Sequence, residues 1–512
     1  MADRKAPGVS VVEKNAFPNS VVEVETAIPA FIGCTEFALR GTKSLDGKPT
    51  KLTSFDDYTK LFGGPPATVK TVKYASPVAP ATTPTISLID EAHFYFYSSI
   101  RLFYDNGGGT CYVASIGKFS DVAANGGMAG LDLPKLCDDV LQKLLKELDV
   151  TMIVVPDAVK VALASWQQVC EQVLAHCVKT ESRIAIFDVP AGDQPRTYDD
   201  TTDVISGTQG FRGMISGELD NLSYATAYYP WLNTSVIDSS AANFTWLDDD
   251  GKAALATDLG GEAGSMYPNL ADQGKLAKLR SVIGQLATAA SASDIRTVHL
   301  TLNNVSPLYQ LVMQDMLGLA NVVPPSGAMA GVYTRMDEEA GVFWAPANVP
   351  INSVLSPIVP LSDDDQEDIN VPLDGKAINA IRVIPNRGLM VWGARTLDGN
   401  SEDWRYINVR RTMIMLEQSI KLSVESYVFH PNTSVTWTSV KSMITNFLTA
   451  RWKEGALAGT KLEDAFSVDV GLGSTMTATD ILDGYLRVSV TVAISHPAEF
   501  IVLTFEQQLQ KS

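Results

Sequence analysis

Apolar residues in the N-terminal part of the chain change repeatedly between short continuous runs and helical spacing. Residues 30–34, 152–157 and 184–188 are short apolar segments, each typical of a buried β-strand. Between them, residues 131–148 place leucine and valine at helical intervals, and residues 159–178 also predict a helix. This β–α–β–α–β alternation predicts an α/β domain with an at least partly parallel sheet.

The last third of the chain has a different pattern. Residues 404–427 contain neither Pro nor Gly and predict one long helix. Residues 439–457 carry an apolar face at helical spacing and predict a second helix. Two strands are predicted to follow, over 485–494 and 500–505. This order predicts an α+β domain, with helices packed on a mainly antiparallel sheet.

Both ends of the chain carry strand-like sequences outside the predicted compact blocks. These runs are 9–13 and 20–25 near the N-terminus, and 499–505 near the C-terminus. One interpretation is that the end strands close the sheets of their own domains. The other is strand exchange, in which each end pairs with the exposed sheet edge of a neighbouring subunit and so builds a lattice or tube. The residues that would pair in this way are Val9, Val11, Val12, Phe500, Val502, Thr504 and Phe505.

Two regions interrupt the regular pattern. Residues 65–84 contain five prolines with many Thr and Ala, a composition typical of a flexible loop or linker. Residues 233–323 combine Gly-, Ala- and Asp-rich stretches with a helix predicted near 275–289. We interpret this second region as an inserted or elaborated surface region.

Composition and charge narrow the function classes. The chain has 512 residues, of which 46% are hydrophobic and 19% charged, enough to bury large cores in three to four domains. Forty basic and 58 acidic residues give a net charge of -18, which argues against nucleic-acid binding as the main function. The acidity is uneven, because the residues from 376 onward are nearly neutral. The sequence has no apolar run long enough to span a membrane, and its start lacks the apolar core of a signal peptide, so synthesis in the cytoplasm is expected.

The sequence offers little chemistry for catalysis. The five histidines show no metal-ligand spacing, and no phosphate-binding loop or nucleophile elbow occurs. The five cysteines are widely spread and predict buried thiols, with a metal site at Cys170, His176 and Cys177 as the less favoured alternative. The acidic clusters 248–250 and 363–368 predict solvated loops rather than calcium sites. The sequence therefore predicts a protein without enzymatic activity, cofactor or metal.

Short motifs along the whole chain resemble one family, the contractile tail sheath proteins of phages and related injection systems. Each motif is weak alone, but their order is specific. The strongest are PPSG at 324–327 with AGVY at 330–333 and APAN at 345–348, VWGARTL at 391–397, WRYINVRR at 404–411 and PAEFI at 497–501. In two places the chain departs from the family pattern: residues 233–323 are longer than a minimal sheath needs, and His496 stands where a basic residue is expected.

The resemblance implies a structural protein that assembles with copies of itself. Family members stack as hexameric rings around an inner tube, and their N- and C-terminal arms add strands to neighbouring C-terminal domains. Contraction converts a metastable extended lattice to one of lower energy without a nucleotide. The implied partners are the inner tube, baseplate and terminal cap proteins. The implied location is the cytoplasm during assembly and a phage tail or injection-system particle afterwards, extracellular or membrane-anchored.

The resemblance also places the helix predicted at 439–457 against the tube. Lys441, Arg451 and Lys453 would then supply basic contacts to an acidic tube protein. The alternative is that these three side chains form the solvated side of an amphipathic helix.

Together these patterns predict a multidomain protein of α/β and α+β architecture. The expected order is an N-terminal arm strand (1–26), an outer α/β domain (27–232), the surface region (233–323), a return to the outer domain with a linker (324–375), a tube-facing α+β domain (376–495) and a C-terminal arm strand (496–512). Two other functions stay open, a non-contractile self-assembling or surface-binding module and an α/β enzyme.

Overall fold

The structure of the protein is a computed structural model. It describes residues 21–66, 70–78, 83–89, 93–216 and 219–501. The predicted N-terminal strand at 9–13 and most of the predicted C-terminal strand at 500–505 lie outside these residues.

The described chain divides into two compact units. The larger unit comprises residues 25–411, and the smaller unit comprises residues 21–24 and 412–501. The sequence places this boundary at residue 376, whereas the structure divides the chain after Arg411. The reason is that residues 379–391 form two strands of the sheet of the larger unit.

Mixed helices and strands confirm the predicted fold class. The strands are β1 (Pro29–Thr35), β2 (Leu39–Arg40), β3 (Lys43–Ser44), β4 (Thr50–Leu52), β5 (Val72–Ala75), β6 (Thr85–Leu88), β7 (Cys111–Lys118), β8 (Met152–Val154), β9 (Ile184–Asp188), β10 (Ala225–Tyr229), β11 (Leu232–Thr234), β12 (Val322–Val323), β13 (Val349–Pro350), β14 (Val354–Pro357), β15 (Asn379–Ile384), β16 (Gly388–Val391), β17 (Phe466–Val470) and β18 (Val488–Val492).

The helices connect these strands and cover both units. They are α1 (Phe55–Phe62), α2 (Phe96–Asp105), α3 (Phe119–Ala124), α4 (Leu133–Leu144), α5 (Leu163–Thr180), α6 (Phe211–Met214), α7 (Leu219–Leu222), α8 (Asp249–Met266), α9 (Gln273–Gly284), α10 (Ala292–Val305), α11 (Pro307–Ala320), α12 (Ser326–Glu339), α13 (Asp363–Asn370), α14 (Ile407–Val424), α15 (Ser434–Lys453), α16 (Leu462–Ala465) and α17 (Ala478–Leu482). Short 3-10 helices lie at Gly127–Gly130, Pro156–Lys160, Phe244–Trp246, Leu270–Asp272 and Glu425–Tyr427.

A nine-stranded sheet forms the centre of the larger unit. Its strand order is β13-β16-β15-β10-β9-β8-β1-β7-β4. The six strands from β15 to β7 pair in parallel, and antiparallel strands flank them on both sides. Every residue of β1, β8 and β9 is buried, since helices cover both faces of a parallel sheet. The predicted partly parallel α/β domain is therefore confirmed.

Two amphipathic helices, α4 and α5, pack against each other and fill one side of this core. Val140 and Leu144 on α4, and Trp166 and Val173 on α5, are buried. Cys170 and Cys177 are buried in the same core, and the ring of His176 lies 2.6 Å from the Arg183 guanidinium. The predicted buried thiols are confirmed here.

Residues 249–320 form four helices, α8 to α11, with an apolar core of their own. The hairpin β5–β6 packs on α8 and α11 and contributes Val72 and Tyr74 to this core. The interpretation of 65–84 as a linker is therefore wrong for its described middle part. Prolines lie on both sides of β5. Val72 and Tyr74 of this strand are nevertheless buried in alternation with exposed residues, as expected for one strand of a packed hairpin.

The two acidic clusters are also not loops. Asp248 precedes α8, and its side chain accepts a hydrogen bond from the Gly251 N–H. Ser362 precedes α13 and forms a capping box with Asp365. Acidic side chains are favoured in the first turn of a helix because the N–H groups there have no partner within the helix.

Two buried carboxylates hold the starts of helices α2 and α12. Asp157, just after β8, accepts a hydrogen bond from the Tyr95 N–H at 2.7 Å. Asp188, the last residue of β9, accepts from the Ser326 N–H at 2.8 Å and from its hydroxyl at 2.5 Å. Burial raises the pKa of Asp157 to about 6 and that of Asp188 to about 7, although these hydrogen bonds act in the opposite direction.

These two groups give the protein a pH dependence of known sign. A raised pKa in the folded state means that the folded chain binds more protons than the unfolded chain between about pH 4 and pH 7. Their contribution to stability is complete below about pH 4 and is lost as the pH rises through 6 and 7. We expect Asp188→Asn to flatten the fall in unfolding free energy between pH 5 and pH 8, measured by urea titration at each pH. The exposed Asp200→Asn is the control, and equal pH profiles for both variants would contradict the prediction.

Candidate assembly surface

The smaller unit contains an antiparallel hairpin with one apolar face. Strands β17 and β18 pair over five residues each, with Val468 opposite Val490. Along β18, valine alternates with exposed Ser489 and Thr491. Directly opposed residues share a face, so the valines of β18 lie on the same face as Phe466 and Val468.

This apolar face is covered unequally. Helix α15 packs on β17 and buries Phe466 and Val468 to 8% and 5% exposure. Beside β18 lies an open groove of about 460 Å³ instead. The groove is lined by Val488, Val490, Val492 and Leu486 on one side and by Met413, Leu416, Glu417, Ile420, Lys421 and Val424 of α14 on the other.

The outer edge of β18 has no strand beside it among the described residues. Such an edge presents unpaired N–H and C=O groups to any extended chain that approaches it. A strand added here would place every second side chain over α14, where the groove is mainly apolar. The hairpin therefore has both the backbone edge and the side-chain groove that strand addition requires.

The predicted strand-exchange residues are mostly outside the described chain. Val9, Val11, Val12, Val502, Thr504 and Phe505 lie there. Phe500 is described, belongs to no strand, and is 72% exposed together with exposed Ile501. The strand predicted from residue 500 onward is thus not formed at its first two residues.

The strand predicted over 20–25 is wrong for residues 21–25, which have no regular structure. Side chains rather than a ladder hold this segment. Within the smaller unit, the Val24 N–H donates to Ser419 Oγ at 3.1 Å, and Glu23 forms an ion pair with Arg451. Sequence reasoning missed these partners, since residues about 400 positions apart carry no local signal of their contact.

Three comparisons with known proteins show what the chain is similar to. The family model of the phage tail sheath C-terminal domain matches residues 400–508. The tail sheath protein of Burkholderia phage BcepMu is 28% identical over 143 residues, which span 27% of this chain and 30% of the phage protein. The sheath of PVC, an extracellular contractile injection system, in its contracted state is 25% identical, with 99% of each chain covered and a TM-score of 0.60. Residues 400–508 therefore match the sheath C-terminal domain, and the whole chain is similar to contractile sheath proteins.

A second solved structure supports this similarity. The contracted helical sheath of the anti-feeding prophage is 26% identical, covers 99% of this chain and 100% of its own, and has a TM-score of 0.60. The family-model match contains the groove and the hairpin, from α14 to β18. Among the described residues, no helix is long and apolar enough to cross a membrane.

The three cations predicted to face a tube differ in their surroundings. All lie on α15, which begins five residues before its predicted start and ends four residues before its predicted end. Lys441 Nζ is 3.6 Å from Asp469, and Arg451 pairs with Glu23 and Glu454. Lys453 is exposed and has no ion pair within the described chain. The tube-facing role of these residues stays a prediction.

Proposed function

We propose that this protein is the repeating subunit of a contractile sheath, joined to its neighbours by strands added at the outer edge of β18, which has no strand beside it among the described residues. The groove beside that edge carries the proposal, because it is open and mainly apolar, whereas the apolar face of the other hairpin strand, β17, is buried under α15. Its family-model match and its likeness to sheaths in the contracted state support contraction. The added strands would come from residues 9–12 and 500–505 of neighbouring subunits.

We further propose hexameric rings stacked around an inner tube, with α15 toward the tube and Lys453 as the cation of that helix that has no ion pair among the described residues. A baseplate and a cap would end the sheath, inside a phage tail or an injection-system particle. The baseplate contact is supported by a relative, since one matched chain comes from the anti-feeding prophage baseplate. Contraction would draw its free energy from new contacts between subunits, as expected for a metastable lattice.

Electron microscopy of negatively stained sheath protein tests this function. We expect tubes from the full chain and dispersed particles from Val490→Asp, since a carboxylate in the groove disfavours the side chains of an added strand. Ser489→Asp is the matched control: it adds the same charge one residue away, on the exposed face of β18. A chain lacking residues 1–15 should behave like Val490→Asp.

The test needs two safeguards. Thermal unfolding of Val490→Asp must match that of Ser489→Asp, so that lost assembly reflects the groove and not the fold. If the full chain alone stays dispersed, assembly is repeated with a purified inner tube as template. Tubes from Val490→Asp equal in number to those from Ser489→Asp would refute strand addition at this edge.

A further inference from the structure

Residues 23–26, close to the start of the described chain, make polar contacts with the rest of the subunit. A segment that was not attached to its own subunit would lack such contacts. Thr26 is held through both its side chain and its backbone. Its hydroxyl donates to Asp337 Oδ2 at 2.5 Å, and its carbonyl accepts from Arg411 Nη2 at 3.1 Å. All three residues belong to the larger unit, and three residues later the chain enters β1.

The partner of Thr26 is a buried and doubly bonded ion pair. Arg411 Nη1 and Nη2 donate to the two oxygens of Asp337 at 2.9 and 2.6 Å. The two side chains are only 4% and 7% exposed, and the guanidinium lies 4.9 Å from the ring centre of Tyr333. Parallel bonds of this kind fix the orientation of both groups, so Thr26 meets a preformed binding site.

Within the smaller unit, the preceding residues have their own partners. Ser419, which receives the Val24 N–H, is fully buried. Arg451, which pairs with Glu23, is held by Glu454 at 2.9 Å and lies 5.7 Å from the ring centre of Phe447. Its side chain is 21% exposed, against 38% for Glu23. Arg451 is therefore positioned to hold residue 23.

We propose that these contacts are two latches that fix the root of the N-terminal arm to its own subunit. The first latch is Thr26 with Asp337 and Arg411, and the second is Glu23 and Val24 with Arg451 and Ser419. This inference rests on the proposed function, because the latches matter when the arm is joined to a neighbour. A force applied to residues 1–20 is then borne by the contacts with α12, α14 and α15 before it acts on β1. The inference also reassigns Arg451 from tube contact to arm positioning.

Hydrogen exchange on the full chain tests the latches directly. Thr26→Val removes the hydroxyl bond and keeps the Asp337–Arg411 pair, while Arg451→Gln removes the partner of Glu23. We expect each to speed exchange of the amides at 23–26 about fivefold, the factor that corresponds to ~1 kcal/mol for one side-chain bond. Lys461→Gln, which removes an exposed cation elsewhere in the smaller unit, should leave that exchange unchanged.

A second readout separates this inference from the proposed function. In assembled sheaths, the latch variants should give tubes that break into shorter lengths under shear than those of Lys461→Gln. Unchanged exchange in both latch variants, or faster exchange with tubes of equal length after shear, would overturn the proposal. A full chain that forms no tubes, even with a template, counts against the sheath function, and the exchange rates then decide the latches alone.

Discussion

Asp337→Ala is expected to lower the free energy of unfolding by about 3–5 kcal/mol, the usual cost of removing one partner from a buried ion pair. The variant leaves the Arg411 guanidinium 4% exposed and without its carboxylate, and it deprives the Thr26 hydroxyl of its acceptor. The neighbouring aromatic ring of Tyr333 attracts the cation but cannot accept its hydrogen bonds in the plane of the guanidinium.

Urea-induced unfolding of the full chain, followed by circular dichroism, measures this loss. Glu338→Ala is the control, because Glu338 is the next residue of α12 and its side chain is exposed. Equal losses in the two variants, both under about 1 kcal/mol, would mean that the buried pair contributes no more than a surface charge.

Gly331→Ala is expected to cost about 1–3 kcal/mol, as overpacking of a close contact does. Helices α2 and α12 pack so closely that a Cβ on Gly331 would lie 2.4 Å from the Phe103 carbonyl oxygen. One turn earlier, a Cβ on Gly327 would lie 2.5 Å from the Ser99 oxygen. Both obstacles are backbone atoms, so relief requires the two helices to move apart.

The chain contains a matched control for this substitution. Gly261 lies inside α8, where an added Cβ meets nothing within 4 Å. Gly261→Ala should therefore stabilise the protein by about 0.5–1 kcal/mol, because alanine favours the helix over glycine. A change of the same sign at 331 and 261, measured by thermal unfolding, would contradict the close packing of α2 and α12.

The central strands show which elements can be predicted from sequence. β9 has the predicted bounds, and β1 extends one residue further at each end than predicted. They are identifiable because a strand buried on both faces is a continuous apolar run. The hairpin strand β5 was missed, because its burial depends on α8 and α11, which lie about 180 to 240 residues further along the chain.

The candidate assembly surface is likewise only partly predictable from the sequence. The sequence predicts the strand that becomes β18 and, through the family resemblance, its role in joining subunits. It does not predict the groove, which exists only because α14 lies beside β18 and leaves Val490 partly uncovered. The charged residues of α15 are a clearer example of what cannot be predicted from the sequence. Periodicity places Arg451 on the helix, but only the fold brings Glu23 to it.

The sequence alone determined the type of each long element, the polar or apolar character of its faces and the resemblance to contractile sheath proteins. These follow from local periodicity and from short ordered motifs, which are properties of neighbouring residues. The tertiary structure decided the unit boundary at Arg411, the close approach of α2 to α12, the edge of β18 that no described strand pairs with, and the contacts of residues 23–26. Each of these depends on residues far apart in the chain, whose contact is set by how whole elements pack.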